Sequence, residues 1–279
     1  MIVDFHTHIF PKAIRDHRDK YFEGEPAFRM LYDSQKAKLI GGRKMIRAMD
    51  EAQVDWSLAF GFPWKNIAYS RMHNDYVMEM VARYPHRIKG LCCLDTCSET
   101  AVQEVERCVA GGLSGVGELA FYEHGIVCEI RDSLTPIMAI CRERDLLVMI
   151  HTNEPVGHMY PGKSENTLAQ IYDIIKRFPD NKIVLAHWGG GIFFYGLLKK
   201  EVKAALKNIW VDTAASPFLY DPAIYRYAID IVGKDKILFG SDFPLIQPAR
   251  YLKEINSLGL TKDAREAICG QNAVHLLGL

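Results

Sequence analysis

Two histidines, His6 and His8, close a short apolar run at the start of the chain. Residues two apart on a β-strand point to the same side, so both imidazoles can face one point in space. A shared metal ion requires that arrangement. A His-x-His pair alone is nevertheless a weak signal, since two histidines at a frayed strand end would look the same. The pair predicts a metal site only if other strands end in further ligands.

Four further groups of this chemical kind lie at or near the ends of later apolar runs, namely Glu118, His151, His187 and Asp242. Each has an ordinary alternative: Glu118 could pair with a buried base, either histidine could be a satisfied core residue, and Asp242 could start a turn. Imidazole nitrogens and carboxylate oxygens are the usual ligands of Zn²⁺, and Mn²⁺ or Fe²⁺ accept the same mixture. Their recurrence therefore predicts one or two divalent ions, with zinc preferred and manganese or iron as alternatives.

The elements that must position these groups are eight short runs, most of them β-branched or leucine-rich without alternation. This pattern is typical of parallel strands that are covered on both faces. The runs are Ile2–His6, Trp56–Gly61, Ile88–Leu94, Gly115–Ala120, Leu147–His151, Ile183–His187, Ile209–Asp212 and Ile237–Gly240.

Amphipathic patterns that predict helices lie between the runs. These are Arg43–Gln53, Arg71–Tyr84, Thr100–Ala110, Leu134–Arg144, Glu165–Phe178, Leu197–Lys207, Pro222–Val232 and Pro248–Asn256, with a last helix at Lys262–Cys269. Asp132 and Ser133 are candidate caps of the fourth helix, which carries Pro136 in its first turn. The segment 11–42 is long for a connection after the first strand. It is interpreted either as a lid over substrate or as a structural excursion that caps the barrel.

Strands that alternate with helices without a break in composition predict an α/β fold, a closed (β/α)8 TIM barrel that forms a single domain over residues 1–279, with an insertion after the first strand. An open doubly wound sheet is the alternative, which the lack of a Gly-x-Gly-x-x-Gly motif after the first strand weakens. In such barrels the reactive groups lie at the C-terminal ends of the strands, where the candidate ligands are.

Composition excludes several function classes. Lys+Arg and Asp+Glu number 34 each, so no net field favours nucleic acid or an anionic membrane. There is no signal-peptide pattern and no apolar run long enough to span a membrane. The seven cysteines lack CxxC spacing, which favours reduced, buried thiols and a cytoplasmic location. The expected partner is a small-molecule substrate, and a homo-oligomer is left open.

In combination these residues resemble the amidohydrolase superfamily and, within it, the amidohydrolase-2 branch. The matching motifs are Asp4-Phe5-His6-Thr7-His8, His151-Thr152-Asn153-Glu154-Pro155, Ala186-His187, Gly240-Ser241-Asp242-Phe243-Pro244 and the closing Ile268-Cys269-Gly270-Gln271-Asn272-Ala273. The resemblance implies that His6, His8 and Asp242 bind a first metal. It implies that His151 binds this metal or a second one, and that His187 is a second-metal ligand or a base that polarises substrate.

One departure from the family bears on function. Members with a carboxylated lysine bridge carry that lysine on strand four, where this chain has Glu118. The placement resembles superfamily hydrolases in which a glutamate bridges two metals. Aromatic-acid decarboxylases of the same branch resemble the chain too, but they typically use one metal and no such bridge. The resemblance therefore favours a metal-dependent hydrolase that activates water to cleave an amide, ester or lactone bond of a small molecule.

Two alternatives to hydrolysis are kept. The first is a metal-dependent decarboxylase or hydratase, a lyase acting on a small carboxylic acid, and the second is a non-enzymatic, metal-stabilised binding barrel. For hydrolysis, Asp242 would ligate metal and move the proton of the attacking water, with His187 as the second catalytic residue. Loop residues expected to bind substrate are Trp64, Tyr122, His158 and Lys163, although aromatic side chains at these positions could equally serve to pack loops onto the barrel.

Overall fold

Eight short strands alternate with helices through residues 1–279, all of which this computed structural model describes. Every predicted strand is present. The strands are β1 Val3–His8, β2 Trp56–Phe60, β3 Ile88–Gly90, β4 Gly115–Leu119, β5 Leu147–Ile150, β6 Lys182–Leu185, β7 Ile209–Asp212 and β8 Ile237–Leu238. All pairs are parallel, and each strand pairs with its neighbour in the sequence, in the ladders β1-β2-β3 and β4-β5-β6-β7-β8.

The two ladders meet at two seams. A parallel bridge joins Cys92 to Val116 between β3 and β4, and another joins Thr7 to Phe243 just beyond β8. Backbone hydrogen bonds accompany both bridges. Each ladder thus continues into the other at both edges, which gives the predicted (β/α)8 barrel.

Eight helices connect the strands and cover the outside of the barrel: α3 Gly42–Ala52, α4 Ile67–Arg83, α5 Ala101–Ala110, α6 Cys128–Glu143, α7 Leu168–Arg177, α8 Lys200–Ala205, α10 Ile224–Val232 and α11 Pro248–Ser257. Five further helices are α1 Lys12–Asp16, α2 Pro26–Tyr32, α9 Ser216–Leu219, α12 Lys262–Glu266 and α13 Asn272–Leu277. None of the helices combines the length and the apolar character needed to cross a membrane.

The prediction for α6 was wrong at its start. The helix begins at Cys128, so Asp132 and Ser133 lie inside it and do not cap it, and Pro136 lies in its interior. The apolar stripe that α6 buries includes Leu134 but continues N-terminally through the partly buried Ile130. Packing of that first turn outweighed the local capping signals.

Alternate residues of each strand belong to two different apolar layers, one inside the barrel and one between the strands and the helices. On β5, Leu147 and Met149 point into the barrel, whereas Val148 and Ile150 pack against the surrounding helices. The interior layer fills the barrel around the strands with side chains such as Phe5. Because apolar side chains occupy this space, polar groups gather where the strands end.

The insertion at 11–42 folds onto the loop that follows β2. Its side chains join a third apolar cluster, which includes Phe28 and Trp64. The buried carboxylate of Glu25 accepts hydrogen bonds from the backbone N–H groups of Lys65 and Asn66, at 3.0 and 2.8 Å. The insertion therefore packs against the face of the barrel that is formed by the C-terminal ends of the strands.

Candidate active site

The six predicted ligands lie together at the C-terminal ends of the strands. They form three overlapping groups, and within each group the ligand atoms lie within 4.8 Å of one another. The groups are His6, His8 and Glu118; His6, His187 and Asp242; and Glu118, His151 and His187. Five strands whose ends are far apart in sequence thus supply one cluster.

Asp212 orients the first of these histidines. Its Oδ2 lies 2.8 Å from His6 Nδ1, and its Oδ1 accepts the backbone N–H of His187 at 2.9 Å. A carboxylate on Nδ1 favours the tautomer that leaves a lone pair on His6 Nε2, the usual arrangement behind a metal-bound histidine. Asp212 was missed as a functional residue, although it ends the seventh predicted strand and the rule applied to the other strand ends would have selected it.

Two more histidines are held in the same way by backbone carbonyl groups. His8 Nδ1 faces the carbonyl oxygen of Gly61 at 3.4 Å, and His187 Nδ1 faces that of Ala214 at 3.0 Å. The Nε2 atoms of His6 and His8 are 3.3 Å apart. When both rings donate through Nδ1, a proton or a metal ion must lie between the two Nε2 atoms, because two facing lone pairs would repel each other. The donor set therefore fits a divalent ion.

The carboxylates complete this charge pattern. Asp242 Oδ1 lies 3.3 Å from His8 Nε2 and 3.7 Å from His6 Nε2, while Glu118 Oε2 lies 3.7 Å from His6 Nε2. Burial opposes protonation of His6, but the charges of Asp212 and Glu118 outweigh it and raise the pKa of His6 to about 10. Burial alone would raise the pKa of Asp242, yet the hydrogen bond from His8 and the charge of His6 hold it below its usual range. The cluster thus stabilises positive charge at its centre.

Backbone strain accompanies this arrangement. Asp242 and His187 adopt φ of 59° and 55°, a left-handed conformation that is uncommon for residues with a side chain. A Cβ on Gly240 would lie 2.8 Å from the His6 Cβ, so the close approach of β8 to β1 requires glycine there. The packing around the strand ends therefore holds the side chains of Asp242 and His187 in place at a local energetic cost.

His151 differs from the other histidines. Its Nδ1 lies 3.0 Å from Glu118 Oε1, and its Nε2 lies 2.9 Å from the carbonyl oxygen of Gly162. Both ring nitrogens are thus occupied by protein groups. Its predicted role as a metal ligand stays a prediction, and in this structure it positions Glu118.

A cavity of about 830 Å³ opens above the cluster. Of the four loop residues expected to bind substrate, Tyr122 and His158 line it. Trp64 does not, because it is fully buried in the third apolar cluster and donates its indole N–H to His73 Nδ1 at 3.0 Å. Lys163 is buried too, and its ammonium group donates to Glu154 Oε1 at 2.8 Å. Trp64 and Lys163 thus lie outside the lining of the cavity, and their expected contact with substrate stays a prediction.

The insertion supplies one wall of the cavity. Its contributions are Leu31, Tyr32, Lys36, Ala37 and Lys38. The two lysines are exposed, and His158 is exposed in the loop after β5. The cavity thus has an aromatic and apolar wall, carboxylates and imidazoles at its base, and cationic groups near solvent. The insertion is part of the site, which supports its interpretation as a substrate-covering segment.

A (β/α)8 barrel with imidazoles and carboxylates converging at its strand ends is the architecture of metal-dependent barrel enzymes. A family model described as amidohydrolase matches residues 3–279. The chain therefore belongs to the amidohydrolase-2 family, and the resemblance drawn from its motifs is confirmed. It is an enzyme of the amidohydrolase superfamily, and the non-enzymatic alternative is not supported.

Among known proteins, the chain is similar to 2-amino-3-carboxymuconate-6-semialdehyde decarboxylase of Dictyostelium discoideum, at 26% identity over an alignment of 336 positions that covers 99% of this chain and 91% of that protein. Its fold matches that of 5-carboxyvanillate decarboxylase from Sphingomonas paucimobilis, with a TM-score of 0.79, 18% identity and coverage of 100% and 99% of the two chains. It also matches a dihydroxybenzoic acid decarboxylase from Polaromonas sp. with bound manganese, with a TM-score of 0.75, 17% identity and coverage of 100% and 97%.

These findings correct the predicted activity. Hydrolysis of an amide, ester or lactone was the wrong prediction, because the relative that matches nearly the full length of both chains is a decarboxylase. The error came from taking Glu118 as evidence for hydrolysis. Its Oε1 lies 3.0 Å from His151 Nδ1, an orienting contact that a carboxylate can make in either kind of enzyme. The comparisons support a divalent ion, and they do not support zinc in particular.

Proposed function

We propose that this protein is a metal-dependent lyase that decarboxylates a small conjugated or aromatic carboxylic acid. The observation that carries the proposal is the full-length similarity to a decarboxylase in a chain whose ligand cluster lies at the base of an aromatic-lined cavity. The predicted alternative to hydrolysis thus becomes the main hypothesis. A small-molecule substrate suits the enclosed volume of about 830 Å³.

His6, His8 and Asp242 would hold the metal, since their ligand atoms converge with the Nδ1 atoms of both histidines facing other acceptors. A divalent ion at this position would supply positive charge for binding the acid and for stabilising electron density that develops during the reaction. Its identity is open between manganese, zinc and iron.

The proton required by the reaction is assigned to His187. During decarboxylation the bond between carbon and carboxylate breaks, its electron pair stays on the carbon, and that carbon takes a proton as carbon dioxide leaves. His187 Nδ1 is held by the Ala214 carbonyl group, and its Nε2 lies in the cluster 3.5 Å from Glu118 Oε1. Burial lowers the pKa of His187, but hydrogen bonding and the charge of Glu118 raise it above its usual range, which favours a protonated Nε2.

Asp242 takes a different role from the one expected for hydrolysis. Decarboxylation has no attacking water whose proton must be moved, and the depressed pKa of Asp242 favours the ionised form. A carboxylate that stays ionised is suited to holding a cation and is a poor acid. Asp242 is therefore proposed as a ligand, with His187 as the catalytic acid.

Glu118 has two possible roles, a bridge between two ions or an acceptor that orients His151. Metal analysis of Glu118→Gln separates them. Two ions per chain in the parent and one in the variant would support the bridge, whereas a single ion in both would support the orienting role.

The walls of the cavity suit both the acid that binds as substrate and the carbon dioxide that leaves as product. Tyr122 and Phe62 present aromatic surface that can pack against a conjugated acid, and the neutral carbon dioxide leaves through a partly apolar space. The exposed Lys36 and Lys38 place cationic groups where an anionic acid enters, and the exposed His158 adds an imidazole that can form a hydrogen bond there. Tyr122 and His158 are the proposed substrate-binding residues that the sequence had also indicated.

The test is carbon dioxide release by manganese-loaded protein offered 5-carboxyvanillate, dihydroxybenzoates and 2-amino-3-carboxymuconate 6-semialdehyde, beside a panel of esters, lactones and amides. We expect the protein to decarboxylate at least one of the acids and to hydrolyse none of the esters, lactones or amides. His187→Asn should lower that turnover by about 10²–10⁴-fold, the usual value of general acid–base catalysis. The exposed His124 provides the matched control His124→Asn, which should retain parent activity. Ester or lactone hydrolysis without carbon dioxide release would overturn the proposal.

A further inference from the structure

The hydroxyl groups of two tyrosines in the cavity have no assigned role. Tyr32 comes from the insertion and Tyr122 follows β4, and both line the same cavity as Asp242 and Glu118. Neither hydroxyl has a hydrogen-bond partner in the protein. The third tyrosine of the cavity differs, because Tyr160 donates its hydroxyl to Glu154 at 2.8 Å. Tyr32 and Tyr122, here called the phenol pair, thus offer two unused donors to whatever binds.

Phe62 spaces the two rings of the phenol pair. Its ring centroid lies 6.1 Å from that of Tyr32 and 6.3 Å from that of Tyr122, and the second contact is stacked. The Tyr122 ring lies 5.3 Å from that of His151, beside the ligand cluster. The pair therefore stands on one side of the cavity, close to the reaction centre.

The insertion holds Tyr32 firmly. Its ring packs against Phe10 and Phe28, with centroid distances of 5.3 and 4.9 Å. The guanidinium group of Arg18 donates to the carbonyl oxygens of Tyr32, Ser34 and Ala37 at 3.1, 3.3 and 2.9 Å. A side chain fixed by packing and by its own backbone can present its hydroxyl without a large loss of conformational entropy on binding.

The electrostatic setting keeps both groups protonated. Burial, with the charges of Asp242 and Glu118, raises the pKa of Tyr32 far above its usual range. Burial and the charge of Glu118 do the same for the pKa of Tyr122. Each hydroxyl is thus available as a hydrogen-bond donor at neutral pH. The reacting carboxylate of the substrate is best bound by positive charge, which phenols do not supply. The acceptor of these hydrogen bonds is therefore expected to be another oxygen atom of the substrate.

We infer that the phenol pair donates hydrogen bonds to a second oxygen substituent of the substrate, a hydroxyl, phenolate or carbonyl oxygen, and that Tyr32 selects acids that carry one. The inference rests on the proposed function for the identity of the reacting carboxylate. It narrows the substrate class to oxygen-substituted conjugated or aromatic acids. It also gives the insertion a part in specificity.

The test measures binding, so it does not depend on turnover. Manganese-loaded protein is titrated calorimetrically with 2-nitrophenol, which has one ring hydroxyl beside the nitro group, and with nitrobenzene, which has none. We expect the parent to bind 2-nitrophenol about tenfold more tightly, the usual value of a hydrogen bond to a partly charged oxygen. Tyr32→Phe and Tyr122→Phe should each bring that ratio toward one. Tyr69→Phe is the matched control, since Tyr69 packs on Trp64 away from the cavity lining, and its ratio should equal that of the parent.

The outcomes separate this inference from the proposed function. A ratio near one in the parent, a ratio unchanged in Tyr32→Phe, or no binding of either compound would overturn the role of the phenol pair. An intact ratio that collapses in the variants, in a protein that decarboxylates none of the acids offered, would support the phenol pair and count against the proposed reaction. Turnover of an acid without a second oxygen substituent as fast as of one that has it would contradict the narrowed substrate class.

Discussion

Two fully buried histidines in this barrel have opposite environments. His6 lies in the ligand cluster beside three carboxylates, and its pKa is raised to about 10. His73 lies under the insertion, donates from Nε2 to the Ile9 carbonyl group at 2.6 Å and accepts the Trp64 indole N–H at Nδ1. Burial lowers the pKa of His73 to about 4. Depth of burial is equal at the two positions, so the neighbouring charges and hydrogen-bond partners decide whether a site stabilises a cation or a neutral ring.

The comparison also distinguishes two roles that a buried histidine can have, one in the core and one in a binding site. His73 satisfies both ring nitrogens with neutral partners and belongs to the core. His6 directs Nδ1 to a carboxylate and Nε2 toward the other predicted ligands, which is the usual arrangement of a metal-binding histidine. Three predictions test this distinction.

The largest effect is expected for the double variant His6→Ala plus His8→Ala. Removing both imidazoles takes away two of three proposed ligands, so the purified protein should hold no divalent ion and show no turnover. Its circular dichroism spectrum should match that of the parent, because the interior layers of the barrel are untouched. His73→Gln is the comparison variant and should keep its full metal content. Retention of metal in the double variant would refute the assignment of the cluster as the metal site.

A smaller effect is expected for Asp212→Asn. The amide keeps the shape of the side chain but removes the charge that holds the His6 tautomer, and partners of this kind are typically worth about 10–100-fold in metal affinity. Competition with a chromogenic chelator measures that affinity directly. Asp221→Asn changes an exposed aspartate in the same way and should leave it unchanged. Equal affinities for the parent and Asp212→Asn would show that the contact between Asp212 and His6 is only structural.

The smallest effect concerns His73 and acid stability. Because its pKa is depressed to about 4 in the folded state, from an ordinary 6.5, the unfolded chain binds the proton more readily. Its contribution is therefore fully present above pH 6.5 and is lost as the pH falls toward 4, by about 3 kcal/mol at most. Urea unfolding of the parent at pH 7 and pH 5 should show this fall.

The matched pair for that measurement is His73→Gln and His86→Gln. Glutamine at position 73 can still donate and accept but does not titrate, so this part of the pH dependence should disappear. His86 is exposed, and its replacement should leave the dependence intact. If the two variants lose stability equally between pH 7 and pH 5, the neutral state assigned to His73 is wrong.

How much of this protein could be predicted depends on the range of the interactions involved. Strand positions follow from runs of apolar residues, which are local, and all eight strands were predicted within a few residues of their ends. The convergence of His6, His8 and Asp242 also follows from local facts, since parallel strands in a barrel bring their C-terminal ends to one face. The helix α6 shows the limit, because its start at Cys128 depends on packing beyond the helix.

The sequence by itself therefore determined the family, the barrel fold and the set of residues that lie together at the C-terminal ends of the strands. Only the tertiary structure decided what each of them touches. His6 and Asp212 are 206 positions apart, and nothing local to either residue indicates their contact. The same holds for loops, where Trp64 turned into the core and Tyr32 of the insertion turned into the cavity. Strand periodicity is a property of a few neighbouring residues, whereas the direction of a loop side chain depends on segments that meet only when the chain has folded.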